Sequence, residues 1–205
     1  KRVSLNDECS EHELSALTLL KRVRHPHLLA VHGYWMLNDA LVIGIELAED
    51  SLDSLIESRR NFGQAGPSQM EVVTYLADAA EALDYLARPI HRMNGHCVRI
   101  QHRDVKPANL LIQGGAVKVA DFGLAKALES VVQYHSVSLT AAYAAPEFFR
   151  GQTTPRSDQY SLGITYHQLR TGEIPFNGSL QEIMEGHLHR APALDGLNDA
   201  EKRIV

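Results

Sequence analysis

The sequence predicts an α+β chain in which a strand-containing front piece precedes a mostly helical body. Three observations carry this. Two apolar runs, residues 28–36 and 40–47, are split by Asn38-Asp39 and read as paired strands with a turn between them. Ser68 to Ala87 is an amphipathic run with Val73, Leu76, Ala77, Ala80, Leu83 and Leu86 on one side. Asn109 to Ile112 and Val117 to Ala120 flank Gly114-Gly115, a hairpin signal because such a turn needs positive φ at both positions.

The remaining elements follow in order. Residues 11–24 read as a helix, with Leu14, Leu17, Leu20 and Arg24 at helical spacing. His25-Pro26 stops it, because proline disfavours helix in the residue before it. Residues 51–59 read as a short helix with Ser51 or Asp50 as cap. After a polar loop from Asn61 to Pro67, Ser68 and Glu71 make a capping box for the long helix. Residues 88–101 look irregular. Residues 124–146 have little periodicity, are rich in Ser, Thr, Tyr and Ala, and read as a long ordered or switchable loop. Residues 157–171 return to helix, ended by Gly172. The crossing segment near residues 46–51 has no Pro/Gly-rich linker, so the two parts should pack closely.

Composition narrows the function classes. The chain has 205 residues, 44% hydrophobic and 22% charged, which excludes low-complexity and largely disordered sequence. Its net charge of −5 argues against a general nucleic-acid binder, which needs a basic face. Two cysteines, Cys9 and Cys97, form no disulfide framework and fit a reducing, cytoplasmic setting. The longest strongly apolar run, Ala40 to Ala48, is broken by Glu46 and falls well short of the roughly 20 residues a membrane helix needs. No membrane contact is expected from this segment. The opening Lys1-Arg2-Val3-Ser4 is no signal peptide. With no initiator Met, the chain is expected to begin inside a longer gene product. His91, His96, Cys97 and His102 fit no compact zinc pattern, and His91 and His96 are expected at the surface.

The chemistry-bearing residues lie in the second half. His102-Arg103-Asp104-Val105-Lys106-Pro107-Ala108-Asn109 is followed, across the hairpin, by Asp121-Phe122-Gly123 and later by Ala145-Pro146-Glu147. These pieces resemble the protein-kinase signature set, and the phosphoryl transfer that this implies needs metal ions to hold a polyphosphate and a base to orient a hydroxyl. Asn109 and Asp121 close the two ends of a tight hairpin, so their oxygens can converge on one Mg²⁺. Asp104, five residues before Asn109, can share that cleft and accept a hydroxyl proton. Lys106 is placed to neutralise charge on the transferred group.

In order and spacing these pieces match the protein-kinase signature set. The chain resembles the eukaryotic-like, Hanks-type protein serine/threonine kinases, of the bacterial kind, over essentially its whole length. The resemblance implies a two-lobe kinase fold: residues 1–47 as a partial amino-terminal lobe and residues 48–205 as the carboxy-terminal lobe. No glycine-rich phosphate loop is present, so the first strands, and likewise the last helices, are expected to be missing from this piece. ATP and Mg²⁺ are the implied cofactors and a protein the implied substrate. Lysine at 106 is similar to the serine/threonine kinases.

The same resemblance assigns further residues. Thr140 matches the threonine that contacts the catalytic aspartate and lysine, and Asp158 the aspartate that braces the catalytic loop. Glu46-Leu47-Ala48 resembles the hinge that bonds adenine through its backbone. Leu111 would lie under the base, and Ser51 near the ribose. Lys1 opens Lys-Arg-Val, which is similar to the stretch beginning at the family's nucleotide-binding lysine. The glutamate that pairs with that lysine is expected at position 16, which holds Ala16; Glu13, one turn earlier, could substitute. Arg103 would bind a phosphorylated loop residue, and Ser136 falls where that residue is expected. Glu147 is expected to lack its usual arginine partner or to borrow another. The alternative to an active kinase is a pseudokinase-type binding or regulatory module.

Overall fold

The computed structural model describes residues 2–4, 11–37, 40–64, 66–122 and 141–203, without the side chains of 2–4 and 11–14. The front piece is a three-stranded antiparallel sheet in the order β1 (Arg2–Ser4), β3 (Ala40–Ile45), β2 (Val31–Leu37), with helix α1 (Glu11–Arg22) against it. The helix ends two residues earlier than its apolar spacing suggests. Arg24 lies outside it, where its guanidinium bonds the carbonyls of Val23 (2.8 Å) and Val31 (3.0 Å). On β2 and β3 the paired Gly33 and Gly44 leave room for the Trp35 ring, which sits only 2.9 Å from where a Cβ on Gly44 would be.

The body begins with β4 (Asp50–Ser51) and α2 (Leu52–Asn61). Ser51 is the N-cap of α2, accepting from the Ser54 amide at 3.1 Å. Helix α3 (Gln69–Ala87) starts from Ser68 with both halves of the capping box formed. Its buried face is Val72, Leu76, Ala79, Ala82, Leu83 and Leu86, rotated from the expected one. Val73, 43% exposed, belongs instead with Ala77 and Ala80 to a groove against α4 (Ser157–Thr171). α3 packs on β8 and on α4 at once, and Leu76 and Leu83 of its buried face also line the groove against α4.

Residues 88–101, expected irregular, contain a small hairpin, β5 (His91–Met93) with β6 (His96–Val98). Asn94 (φ 51°) and Gly95 (φ 83°) form its turn, so the Asn-Gly dipeptide was a readable signal. His91 is not at the surface; it is 5% exposed and its Nε2 bonds the Tyr85 carbonyl at 3.0 Å. β7 (Leu110–Gln113) and β8 (Ala116–Val119) pair across Gly114 and Gly115, both at positive φ, and β4 joins β7 on the other edge. A second unforeseen element, α5 (Leu180–His189), carries its own capping box at Ser179 and Glu182. Gly172, at φ 79°, ends α4 as expected.

One apolar core joins the two parts. Leu17, Leu20, Leu41 and Ile43 from the front are continuous with Leu52, Val72, Leu86, Leu110, Val117 and Val119 from the body. Each such burial contributes on the order of 1.5–3 kcal/mol. The join is also hydrogen-bonded: the Leu29 amide reaches the Val119 carbonyl at 3.0 Å and the Val119 amide the His27 carbonyl at 2.9 Å. Among the described residues no helix is long and apolar enough to cross a membrane.

Glu201, 1% exposed, anchors the carboxy-terminal turn Glu201–Arg203 by accepting from Arg170 Nε (2.5 Å) and Tyr166 Oη (2.8 Å). The Arg170 hydrogen bond holds its carboxyl at about 2, against an ordinary 4.5, although burial opposes this. A folded value below the unfolded one stabilises fully above the unfolded value and is lost as pH falls toward the folded one. Stability in urea titrations should therefore decline from about pH 4.5 to about pH 2. The Glu201→Gln variant should show a shallower decline over that window. Glu201→Ala should cost about 3–5 kcal/mol at neutral pH, because it strands the buried face of Arg170.

Candidate active site

The loop after β6 is held from two directions. His102 is fully buried, and its Nε2 meets the Ala120 carbonyl at 2.8 Å. A carbonyl only accepts, so Nε2 carries the proton, and Nδ1 accepts from the Asp104 amide at 3.2 Å. From below, Asp158 in the first turn of α4 accepts from the His102 amide through Oδ2 and from the Arg103 amide through Oδ1, both at 2.8 Å. Arg103 sits at φ 66°, a left-handed conformation that costs a non-glycine residue about 1–3 kcal/mol. The paired charge-assisted bonds of Asp158 offset that cost. Arg103 Nη2 reaches the Thr153 hydroxyl at 3.5 Å.

This geometry brings Asp104, Lys106 and Asn109 together. Lys106 Nζ lies 2.9 Å from Asp104 Oδ1 and 2.8 Å from Oδ2. Asn109 Nδ2 donates to the Asp104 carbonyl at 2.7 Å and to Oδ2 at 2.8 Å. The 3-10 turn Pro107–Asn109 sets this spacing, closed by the Asn109 amide on the Lys106 carbonyl at 2.9 Å. Because Asp104 takes both amide protons of Asn109, the Oδ1 oxygen of Asn109 faces away from it. The Ala120 amide bonds the Asn109 carbonyl at 2.9 Å, so Asp121 follows directly beside Asn109. Asp121 is at φ 58° and Phe122 is 2% exposed. All three of Arg103, Asn94 and Asp121, the non-glycine residues at positive φ among those described, lie in loops; two of them belong to this site.

The residues expected to form the hinge sit at the join between the front piece and the body. Glu46 leaves β3 and its amide bonds the Ala30 carbonyl at 2.8 Å. Its side chain, given no role by sequence reasoning, pairs with Lys118 Nζ at 2.7 Å and accepts from the Ala30 amide at 3.1 Å. The Lys118 hydrogen bond draws the Glu46 carboxyl below its ordinary value, against the opposing effect of burial. Ala48 is partly buried and follows the exposed Leu47. Ser51 and Leu111 are direct cross-strand partners in β4 and β7, and Leu111 keeps part of its side chain accessible.

Past the hairpin, residues 141–145 are buried. Tyr143 Oη donates to Gln168 Oε1 at 2.7 Å. Burial pushes the Tyr143 phenol up to about 12, helped by the nearby charges of Asp53 and Asp104. Glu147 has borrowed partners: Oε1 accepts from Ser157 Oγ at 2.6 Å and Thr154 Oγ1 at 2.9 Å. Burial works to raise its carboxyl, but these hydroxyls and the neighbouring Arg150 bring it below the ordinary value. Ala16 lies on α1, partly buried against the core. Lys1, Gly123, Ser136, Thr140 and the side chain of Glu13 lie outside the described residues. Among the described residues no three His, Cys, Asp or Glu side chains form a metal-binding cluster.

The model of the protein kinase domain family matches residues 1–201, and the chain belongs to that family. Its relatives include the serine/threonine-protein kinase PknJ of Mycobacterium tuberculosis, 35% identical over 184 residues, covering 82% of this chain and 28% of the relative. PknF of the same species is 34% identical over 184 residues, covering 84% of this chain and 36% of the relative. PknB of Mycolicibacterium smegmatis is 46% identical over 112 residues, covering 52% and 16%. These relatives support the bacterial, Hanks-type branch of the family. The chain spans about a third or less of the length of the curated relatives it matches.

The double acceptor at Asp158 is directly testable. Asp158→Ala removes both bonds to a strained loop and should cost about 2–4 kcal/mol in denaturant unfolding. Native-state hydrogen exchange at the His102 and Arg103 amides should accelerate more than the global loss of stability accounts for.

Proposed function

We propose that the protein is an ATP- and Mg²⁺-dependent protein serine/threonine kinase, moving the γ-phosphate of ATP to a Ser or Thr hydroxyl of a protein. The observation that supports it best is the convergence of Asp104, Lys106 and Asn109, with contacts of 2.7–2.9 Å, on a loop pinned by Asp158. In this reading residues 1–47 and 48–205 are the two lobes of one domain, with the nucleotide between them.

Asp104 orients the acceptor hydroxyl and takes its proton on the carboxylate as the oxygen attacks. Lys106, already within bonding distance of both carboxylate oxygens, follows the transferred group and offsets its developing charge. Thr140 is assigned to the acceptor side by the same reading. The donor set suits Mg²⁺, because Asn109 offers an oxygen once its amide nitrogen is spent on Asp104, and Asp121 offers a carboxylate. Bound there, Mg²⁺ supplies charge neutralisation along the polyphosphate. Glu46 and Ala48 present backbone groups to adenine, Leu111 and Ser51 flank the base and ribose, and Lys1 serves the phosphates. The names of the relatives support Ser/Thr as the acceptor class.

A second reading, a kinase-like binding or regulatory module, draws on one observation. Ala16 occupies the place on α1 where a glutamate partner for Lys1 is expected, and it packs into the core. Glu13 is the substitute in the active reading.

In the full-length protein, Asp104→Asn should retain ATP binding and lower phosphate transfer to a Ser/Thr peptide by about 10²–10⁴-fold. Binding of ATP by the wild type with no transfer would establish the second reading. We further propose that phosphorylation of Ser136 orders the loop through Arg103 and raises activity. Phosphopeptide mapping of the active enzyme should find phosphate at Ser136, and an active enzyme unmodified across this loop overturns that step.

A further inference from the structure

His187 is the one histidine of α5 that points into the molecule, and the catalytic reading gives it no task. It is 5% exposed. Its ring lies among three aromatic rings from three places: Phe149 is stacked at 5.8 Å, while Phe176 (4.8 Å) and Tyr160 (5.7 Å) meet it edge-on. The close approach of Phe176 depends on Gly186, where a Cβ would fall 2.7 Å from that ring. The arrangement is therefore built for this imidazole and not an accident of a loose surface.

The polar edges of the ring are equally committed. Nε2 lies 3.1 Å from the Ala142 carbonyl, and Nδ1 lies 2.8 Å from Tyr160 Oη on α4. Burial pushes the imidazole below its ordinary 6.5, opposed by the Ala142 and Ala141 backbone groups, so the ring is neutral at pH 7. A neutral ring has one N–H. The carbonyl can only accept, so Nε2 donates to Ala142 and Nδ1 accepts from the Tyr160 hydroxyl. One side chain thus ties α5 and α4 to the backbone of residue 142. The next residue, Tyr143, hydrogen-bonds Gln168 and lies within the electrostatic reach of Asp104.

We infer that His187 is a positioning residue: it holds residues 141–143 as part of the platform on which the protein acceptor is presented to Asp104. This rests on the kinase reading above. It extends the acceptor site from the catalytic loop to α5. The ring acts by donating one proton to one carbonyl while accepting from one hydroxyl, so shape alone cannot replace it.

The test uses the full-length protein and three variants. His187→Phe keeps an aromatic ring and loses both polar edges. His187→Gln restores a donor and an acceptor on one group. Tyr160→Phe removes only the hydroxyl that fixes the ring. Steady-state transfer to a Ser-containing peptide should show the peptide KM raised about tenfold in His187→Phe, with the KM for ATP unchanged. His187→Gln should recover most of the loss, and Tyr160→Phe should shift the peptide KM in the same direction by a smaller factor. Hydrogen exchange at the amides of residues 141–144 should accelerate in His187→Phe while that of the 102–109 loop does not. This last readout needs no phosphate transfer, so it stands even if the wild type proves inactive, which would count against the kinase reading alone. An unchanged peptide KM, a KM for ATP that rises in parallel, equal behaviour of the Phe and Gln variants, or unaltered exchange at 141–144 would overturn the inference.

Discussion

Everything at the candidate site depends on one carboxylate that holds the loop from the side of α4. Asp158 accepts two amide hydrogens, from His102 and Arg103, at the start of α4. With the backbone clamped there, Arg103 can adopt its left-handed conformation and the chain reverses tightly enough to return Asn109 to Asp104. Without the clamp, the loop would relax toward extended backbone, and the three polar side chains would separate. The charge also suits its position, since a carboxylate in the first turn of a helix is favoured by the helix dipole.

The clamp works because α4 is itself firmly packed. Leu169 and Tyr166 are in the main core, and the same helix is tied through Arg170 to the buried Glu201. The β7–β8 hairpin is held just as firmly from above. Its Val119 pairs with the segment after α1, and its Lys118 bonds Glu46 at the crossing between the two parts. The 102–109 loop, the β7–β8 hairpin and the crossing at Glu46 therefore sit on one continuous scaffold. A ligand meeting Ala48, Leu111 and Asp121 would meet groups whose relative positions were set by packing before it arrived.

Much of this was legible in the residues. That Asp104 and Asn109 can meet was legible in their spacing, and the β7–β8 hairpin in Gly114-Gly115, which reach positive φ without strain. The same holds for the capping box at Ser68 and the stop at Gly172, where local backbone chemistry acts within a few residues. Other signals were present but weaker. Asn94-Gly95 marks the β5–β6 hairpin, and Ser179 with Glu182 marks the start of α5. Each is a short motif that becomes decisive only when flanking strands or helices have something to pack on.

The chain alone determined the family, the β7–β8 hairpin and the cap at Ser68, because these depend on spacing along a few residues. The tertiary structure decided which face of α3 is buried, that Glu46 braces the crossing through its side chain, that Glu147 is satisfied by Ser157 and Thr154, and that His187 reaches residue 142. The hydrogen bonds among these join groups from 7 to 72 residues apart in sequence. Their partners are chosen by packing geometry and by the cost of leaving a buried polar group unpaired, neither of which is written in local sequence.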